Sequence, residues 1–138
     1  MPNDLQHFLD AQARVIDAVR RELAAGRKQS HWMWFVFPQI KGLGRSAAAQ
    51  RYAIADLEEA RSYLAHPILG PRLLECVQLV RAIKTKTLTE IFGTPDDLKF
   101  RSSMTLFFRA SGNPVFHDAL TQFCGGEEDQ ETLRRLYW

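Results

Sequence analysis

Apolar side chains recur every three or four positions along most of this chain, and no segment alternates cleanly between apolar and polar residues. The N-terminal stripe consists of Leu5, Phe8, Leu9, Val15, Ile16, Val19 and Leu23. This spacing places the stripe on one face of a helix, which Gly26 ends by supplying a left-handed residue. Asn3, with Gln6 three residues later, predicts a capping box at its start. The pattern therefore indicates an all-α protein that begins with a long helix.

Start and stop signals divide the rest of the chain into further helices. N-cap residues before apolar periodicity, with Gly or Pro at the boundaries, are typical of helix ends. The predicted starts are Ser30, Ser46, Asp56, Gly70-Pro71, Thr87, Thr94-Pro95, Asn113-Pro114 and Asp129. By periodicity alone, the run from Trp32 to Phe37 fits either a buried strand or a short buried helix. We favour a helix, because no second strand-like run is present and an isolated strand leaves its backbone groups unpaired. The prediction is a compact single domain over residues 1–138, with about seven mostly short helices.

Composition and charge narrow the class of protein. The 138 residues are 46% hydrophobic and 25% charged, which is typical of a globular domain. A formal net charge of +2 is too small to indicate nucleic-acid binding, and no apolar run is long enough to cross a bilayer. No secretory pattern precedes the domain, so we expect a cytoplasmic monomer with reduced cysteines. The histidines and cysteines lack metal-ligand spacing, and we expect neither a metal nor a cofactor.

The stretch from Ser30 to Ser46 contains the densest set of chemically informative residues. It reads Ser-His-Trp-Met-Trp-Phe-Val-Phe-Pro-Gln-Ile-Lys-Gly-Leu-Gly-Arg-Ser. Gly42 and Gly44 permit positive φ or a close approach of the backbone to a ligand. Lys41, Arg45 and the helix start that follows them are ingredients of an anion site. The Gly-Leu-Gly pattern is not a P-loop and does not follow a strand, so it is a weak phosphate motif by itself.

Single residues of this stretch suggest further roles. His31 is the candidate general acid or base, and its structural alternative is to brace a helix start. Trp32 and Trp34 point in different directions, so we expect one in the core and the other along a cleft, where an indole offers a flat face. Gln39 both donates and accepts hydrogen bonds, which suits ligand recognition, and it is equally suited to hold the loop.

A second polar group lies on the helix predicted to follow Pro95. Lys99 is three and four residues from Ser102 and Ser103, so the three lie on one face. The group is able to hold an oxyanion; the alternative is a solvated face on which Asp96 pairs with Lys99. We expect Lys99 and Ser103 to line one cleft with His31, Gln39 and Lys41.

Three motifs along the chain carry a resemblance to a known family. They are Ser30 to Gln39 with Gly42-Leu43-Gly44 and Ser46; His66-Pro67-Ile68-Leu69-Gly70 with Arg72-Leu73; and Asp97, Lys99 and Ser102 to Phe107. Together they resemble the domain-of-unknown-function family DUF1810 over nearly the whole chain. The resemblance implies a compact all-α domain without an established activity. Some relatives carry a calpastatin-like label, which does not fit this chain, because calpastatin is a disordered inhibitor.

Three functional hypotheses remain open from the sequence. The first is a domain that binds or processes an anionic, nucleotide- or sugar-phosphate-like small molecule. Its predicted ligand contacts are Trp32, Trp34, Gln39, Lys41, Gly42, Gly44, Arg45, Ser46, Lys99, Ser102 and Ser103, with His31 as the general base. The second is a non-catalytic protein-interaction module that uses the aromatic segment or the C-terminal Leu136-Tyr137-Trp138. The third is that the central motif only specifies the core. A deep pocket lined by polar residues of separate motifs favours the first, and a flat apolar patch favours the second.

Overall fold

A computed structural model describes residues 4–138, and its regular elements within that range are all helices. These helices are α1 (Gln6–Ala13), α2 (Ile16–Ala24), α3 (Met33–Val36), α4 (Ala47–Arg51), α5 (Leu57–Ala65), α6 (Leu69–Arg81), α7 (Leu88–Phe92), α8 (Asp96–Ser111), α9 (Pro114–Cys124) and α10 (Gln130–Tyr137). The all-α prediction is confirmed. Ten helices over the described range exceed the predicted seven or so, because three of them have only four or five residues and the first predicted helix is split. No helix in this range is both long and apolar enough to cross a membrane.

The N-terminal stripe forms two helices where the sequence predicted one. α1 ends at Ala13 and α2 begins at Ile16, while Val15 between them has a φ of −129° and is not helical. The break allows α1 to pack against α3 and α2 to pack against α6. The stripe still faces the core, and its buried members are Leu5, Phe8, Ile16, Val19 and Leu23. Gly26 ends α2 with a φ of +74°, as predicted; the predicted N-cap Asn3 lies outside the described residues.

Side-chain caps set the starts of most later helices where the sequence predicted them. The capping side chains are Ser46, Asp56, Thr87, Asn113 and Asp129, and Thr87 forms the full capping box with Glu90. Two predicted starts are wrong: α3 begins at Met33 and is not capped by Ser30, and α6 begins at Leu69 and not at Pro71. The ring Nδ1 of His66 accepts hydrogen bonds from the N–H groups of Ile68 and Leu69, at 3.1 and 3.2 Å. The imidazole therefore starts the helix earlier than the proline suggests.

Helix α8 lies at the centre of the fold. It packs against α5, α7, α9 and α10, so most of its circumference is buried. Among its polar residues, Ser102 is 5% exposed and Ser103 and Thr105 are fully buried. A helix that is covered on several sides buries residues outside its apolar stripe. The polar face expected at Ser102 and Ser103 is therefore largely covered by neighbouring helices.

The Ser30-to-Ser46 stretch passes from the core to the surface. The run from Trp32 to Phe37 contains the short helix α3, as predicted, and apart from Trp34 its side chains are buried. Beyond α3, Ile40 and Ile54 form a single parallel β-bridge. The Lys41 N–H donates to the Ile54 carbonyl at 2.8 Å, and the Ile54 N–H donates to the Gln39 carbonyl at 2.9 Å. These bonds close the ends of a loop over residues 41–53, the glycine loop, which includes α4.

The two cysteines are free thiols. Cys76 is buried and Cys124 is half-buried, and burial raises the pKa of the Cys76 thiol to about 12. Within residues 4–138, no group of three or more His, Cys, Asp or Glu side chains is placed to hold a metal ion.

Candidate functional site

One cleft brings together segments that are far apart in the sequence. Its volume of about 430 Å³ lies within the range of roughly 300–1,000 Å³ for small-molecule sites. It is lined by Trp34 of α3, by Gln39, Leu43, Gly44, Arg45, Ser46 and Ala49, by Pro95, Leu98, Lys99 and Ser102 at the start of α8, and by Asp129 and Glu131 at the start of α10. Residues from the glycine loop and from α8 therefore share one concave surface.

The two tryptophans of the central motif have different environments. Trp32 is fully buried, and its Nε1–H donates a hydrogen bond to Oε1 of Glu22 at 2.9 Å. Trp34 is half-buried along the cleft, and its Nε1–H has no hydrogen-bond partner among residues 4–138. Trp32 is the non-helical residue just before α3, with a φ of −141°, whereas Trp34 lies inside this short helix, and the two indoles point in different directions, one into the core and the other toward the cleft. Trp34 is therefore available to a ligand and Trp32 is not.

Glu22 on α2 fixes the start of the Ser30-to-Ser46 stretch. Its carboxylate accepts hydrogen bonds from the N–H groups of Gln29 and Ser30 at 2.7 and 3.0 Å. It also accepts one from the Ser30 hydroxyl at 2.6 Å, in addition to the indole of Trp32. Partial burial opposes ionisation, but these hydrogen bonds outweigh it and lower the pKa of Glu22 to about 2. One carboxylate thus orders the backbone that leads into α3.

Asp96 joins two lysines at the edge of the cleft. Its Oδ2 lies 2.9 Å from Nζ of Lys28, and its Oδ1 lies 3.3 Å from Nζ of Lys99. The Lys99 Nζ also lies 4.7 Å from the centre of the Trp34 ring, within reach of a cation–π interaction. This is the ion pair that the sequence offered as the structural alternative for Lys99. Lys99 therefore lines the cleft with its charge already partly compensated.

Several polar groups in the cleft are not committed to internal contacts. Within the described part of the chain, the Gln39 amide and the Arg45 guanidinium have no hydrogen bond or ion pair, like the Trp34 Nε1–H. Ser46 accepts a hydrogen bond from the Ala49 N–H at 3.1 Å, which leaves its O–H free to donate. These groups are able to contact a ligand without breaking a bond inside the protein.

The side of the cleft that α10 forms is acidic. Oδ2 of Asp129 accepts hydrogen bonds from the N–H and the hydroxyl of Thr132, at 2.9 and 2.6 Å. The Asp129 N–H donates to Oγ1 of Thr105 at 2.9 Å, which ties this residue to α8. Oδ1 of Asp129 has no partner in residues 4–138. Glu131 pairs with Arg134 and Arg135 of its own helix.

The structure brings together only part of the predicted site. The predicted contacts that line the cleft are Trp34, Gln39, Gly44, Arg45, Ser46, Lys99 and Ser102, and their role in ligand binding stays a prediction. His31 and Lys41 are exposed outside the cleft, so the geometry does not support His31 as a general base there. Trp32 and Ser103 are fully buried. The expected convergence of His31, Lys41 and Ser103 with Gln39 and Lys99 is therefore not observed.

Ser102 and Ser103 separate because adjacent residues differ by about 100° around a helix axis. Ser102 reaches the cleft, and its hydroxyl donates to the Leu98 carbonyl at 3.1 Å. Ser103 turns into the core, where its hydroxyl has no hydrogen-bond partner within the described range. Which of the two faces the cleft depends on the rotation of α8 among its neighbours, which the sequence pattern does not fix.

The two predicted glycines have different structural roles, and only Gly44 lines the cleft. Gly42 has a φ of +99°, in the region that favours glycine. A Cβ at Gly44 would lie 2.5 Å from the Cβ of Ala49, which is closer than two carbon atoms pack. A glycine at position 44 therefore allows the chain before α4 to pack closely against Ala49 of that helix, inside the glycine loop.

The chain as a whole is similar to a known family. The family model described as "Protein of unknown function (DUF1810)" matches residues 2–136. The chain belongs to the DUF1810 family. The resemblance of its three motifs to DUF1810 is thus confirmed.

A solved structure is similar to this DUF1810 chain throughout. It is the crystal structure at 1.38 Å of the conserved hypothetical protein Rv1873 from Mycobacterium tuberculosis, with 53% sequence identity and a TM-score of 0.98. The alignment covers 100% of this chain and 99% of that one. No curated protein matches the chain. Neither description names an activity for this DUF1810 family.

Sequence reasoning missed part of this DUF1810 cleft. The unpredicted lining residues are Leu43, Ala49, Pro95, Leu98, Asp129 and Glu131. Asp129 was identified as a helix start, but no local pattern indicates that α10 packs beside α8. Glu22 lies off the apolar stripe of the N-terminal helices, and no motif in the sequence predicts its partners. Its hydrogen bonds to residues 29, 30 and 32 depend on how the chain turns back after Gly26.

Proposed function

We propose that this DUF1810 protein binds a small organic anion in the cleft between the glycine loop and the start of α8. The observation that carries the proposal is that Trp34, Gln39 and Arg45 line one cleft with Lys99, although Lys99 is more than fifty residues away in sequence. Arg45 supplies a positive charge without an internal partner, and Gln39 supplies an amide that orients the ligand. Trp34 supplies an aromatic wall.

The ligand class is a nucleotide- or sugar-phosphate-like molecule of modest size. The volume of about 430 Å³ lies toward the small end of the range for ligand pockets. The guanidinium of Arg45 suits a phosphate or carboxylate, because its fork of donors matches two acceptor oxygens. The Gln39 amide and the Trp34 N–H suit the polar edge of a base or the hydroxyls of a sugar. The proposal is limited to binding, because the candidate base His31 lies outside the cleft.

A thermal-shift screen with nucleoside monophosphates and sugar phosphates tests the proposal, with calorimetry to measure affinity. A ligand at one hundred times its dissociation constant adds about 2.7 kcal/mol to the free energy of unfolding. We expect Arg45→Ala to remove most of this gain. Lys41→Ala is the matched control, because it removes the same charge four residues away at an exposed position outside the cleft. We expect affinity to fall as salt rises, because the ion contacts are partly exposed.

Two outcomes contradict this function. If no compound in the screen stabilises the protein, the cleft does not bind ligands of this class. If Arg45→Ala and Lys41→Ala weaken binding equally, the affinity comes from general positive charge and not from the cleft.

The interaction-module hypothesis has less support. The aromatic segment is mostly buried, so it offers no docking surface. Tyr137 and Trp138 are 52% and 89% exposed, but single exposed aromatic residues are ordinary on protein surfaces. We propose that the protein is a cytoplasmic monomer, and sedimentation measures its oligomeric state directly. Concentration-dependent association that Trp138→Ser abolishes would favour the interaction module instead.

A further inference from the structure

We infer that the cleft selects a ligand with one anionic group and, at its other end, an amine or another hydrogen-bond donor. Ligands with a second anionic group are disfavoured. This inference rests on the proposed function and specifies the ligand class for the same cleft. It follows from the charges along the cleft and from which of them already have partners.

The cleft has only one uncompensated cation in the described part of the chain. Arg45 has no carboxylate partner there, whereas Lys99 pairs with Asp96 at 3.3 Å and lies over the Trp34 ring at 4.7 Å. Asp96 in turn holds Lys28 at 2.9 Å. A second anionic group on a ligand would compete with Asp96 for Lys99 and would disturb both ion pairs. One anionic group at Arg45 meets no such competition.

The α10 side of the cleft carries charge of the opposite sign. Oδ1 of Asp129 is an acceptor without a partner among residues 4–138, and Glu131 lines the cleft beside it. Asp129 cannot turn away easily, because its backbone bonds Thr105 and its other oxygen caps α10 through Thr132. A like charge there is repelled, whereas an ammonium group or a hydroxyl finds a fixed acceptor.

Two small probes test how the charge at the far end of the ligand affects binding, because the rest of the two molecules is nearly the same. O-phosphoethanolamine and phosphoglycolate share a phosphate and a two-carbon chain, and they differ in ending in an ammonium or a carboxylate. We expect O-phosphoethanolamine to bind about fivefold more tightly, or better, at low salt, because a partly exposed ion pair is replaced by a like-charge contact. Titration of nitrogen-15-labelled protein measures both affinities.

Variants that replace a carboxylate of the α10 side by a carboxamide test whether its negative charge sets the preference between the two probes. Asp129→Asn keeps a good N-cap and removes the charge, and Glu131→Gln removes the neighbouring charge. We expect the preference for O-phosphoethanolamine to shrink toward equal binding in Asp129→Asn, and to shrink less in Glu131→Gln, because Glu131 already pairs with Arg134 and Arg135. Glu58→Gln is the matched control, because Glu58 is exposed on α5 and lies outside this cleft; it leaves the preference unchanged.

The outcomes distinguish a failure of this inference from a failure of the proposed function on which it rests. Equal or tighter binding of phosphoglycolate overturns the inference, as does failure of both probes to bind, or a preference that survives both carboxamide variants. The proposed function stands after any of these results if a nucleotide or sugar phosphate still binds in a manner that depends on Arg45. It falls only if none does.

Discussion

Replacing Glu22 with glutamine removes the charged acceptor that orders the chain before the cleft. The native carboxylate receives four hydrogen bonds at 2.6 to 3.0 Å from Gln29, Ser30 and Trp32. Glutamine has nearly the same size, but its amide group is itself a donor. At least one of the four donors therefore loses its acceptor, and a buried donor without a partner is costly.

The size of the expected loss of stability in Glu22→Gln follows from the pKa of Glu22. The hydrogen bonds hold this pKa at about 2, against an ordinary value of 4.5. At roughly 1.4 kcal/mol per pH unit the difference amounts to about 3 kcal/mol. Solvent screening of a partly exposed carboxylate reduces it to about 1–2 kcal/mol. We expect Glu22→Gln to lower the free energy of unfolding at pH 7 by this smaller amount.

The pH dependence gives the sharper test. The folded state favours the ionised carboxylate more than the unfolded chain does, so this stability is fully present above pH 4.5 and is lost as pH falls toward 2. Urea titrations of both proteins from pH 7 downward should show a constant difference that closes over this window. Glu58→Gln, whose carboxylate has no hydrogen bond in the described chain, should change stability by less than about 0.5 kcal/mol. A difference that is absent at pH 7, or that persists unchanged at pH 2, would refute the reasoning.

Three further predictions concern packing and capping, and each is measured by chemical denaturation. Trp32→Ala should destabilise by about 3–5 kcal/mol because its ring is fully buried, and Trp34→Ala should cost clearly less; equal losses would contradict their placement. Gly70→Ala should cost at least about 1–3 kcal/mol, because a Cβ there would lie 2.1 Å from the Leu64 carbonyl oxygen; a neutral effect would show that α5 and α6 are less tightly packed. Thr87→Ala should lower the free energy of unfolding by about 1 kcal/mol, because the capping box is lost, whereas Thr87→Ser should retain most of that stability.

The helices were predictable where the information is local. Thr87 with Glu90, and Asp56 and Asp129 at later starts, are recognisable because a cap needs only a side chain and the backbone N–H groups a few residues on. The break between α1 and α2 was not predictable from the apolar stripe, since the spacing continues through Val15. It reflects the different neighbours against which the two helices pack.

The candidate site was predictable where one motif supplies it. Trp34, Gln39 and Arg45 lie in one short, unusual stretch, and the expectation that only one tryptophan enters the core agrees with the structure. The acidic side of the cleft was not predictable, because Asp129 reaches it through the packing of α10 on α8. His31 was favoured for its chemistry alone, and its chain position carries no information about the direction of its ring.

The three tryptophan indoles allow the most direct test of ligand binding at this cleft. Trp34 lines it, Trp32 is buried against Glu22, and Trp138 is exposed at the end of α10. Nitrogen-15 spectra resolve one Nε1–H resonance for each, assigned with single Trp→Phe variants. During titration with adenosine monophosphate and with ribose phosphate, we predict that at least one compound shifts the Trp34 resonance saturably. The Trp32 and Trp138 resonances should stay in place, and Arg45→Ala should abolish the shift. A Trp34 resonance that does not respond to either compound, or a response confined to Trp138, would contradict the account.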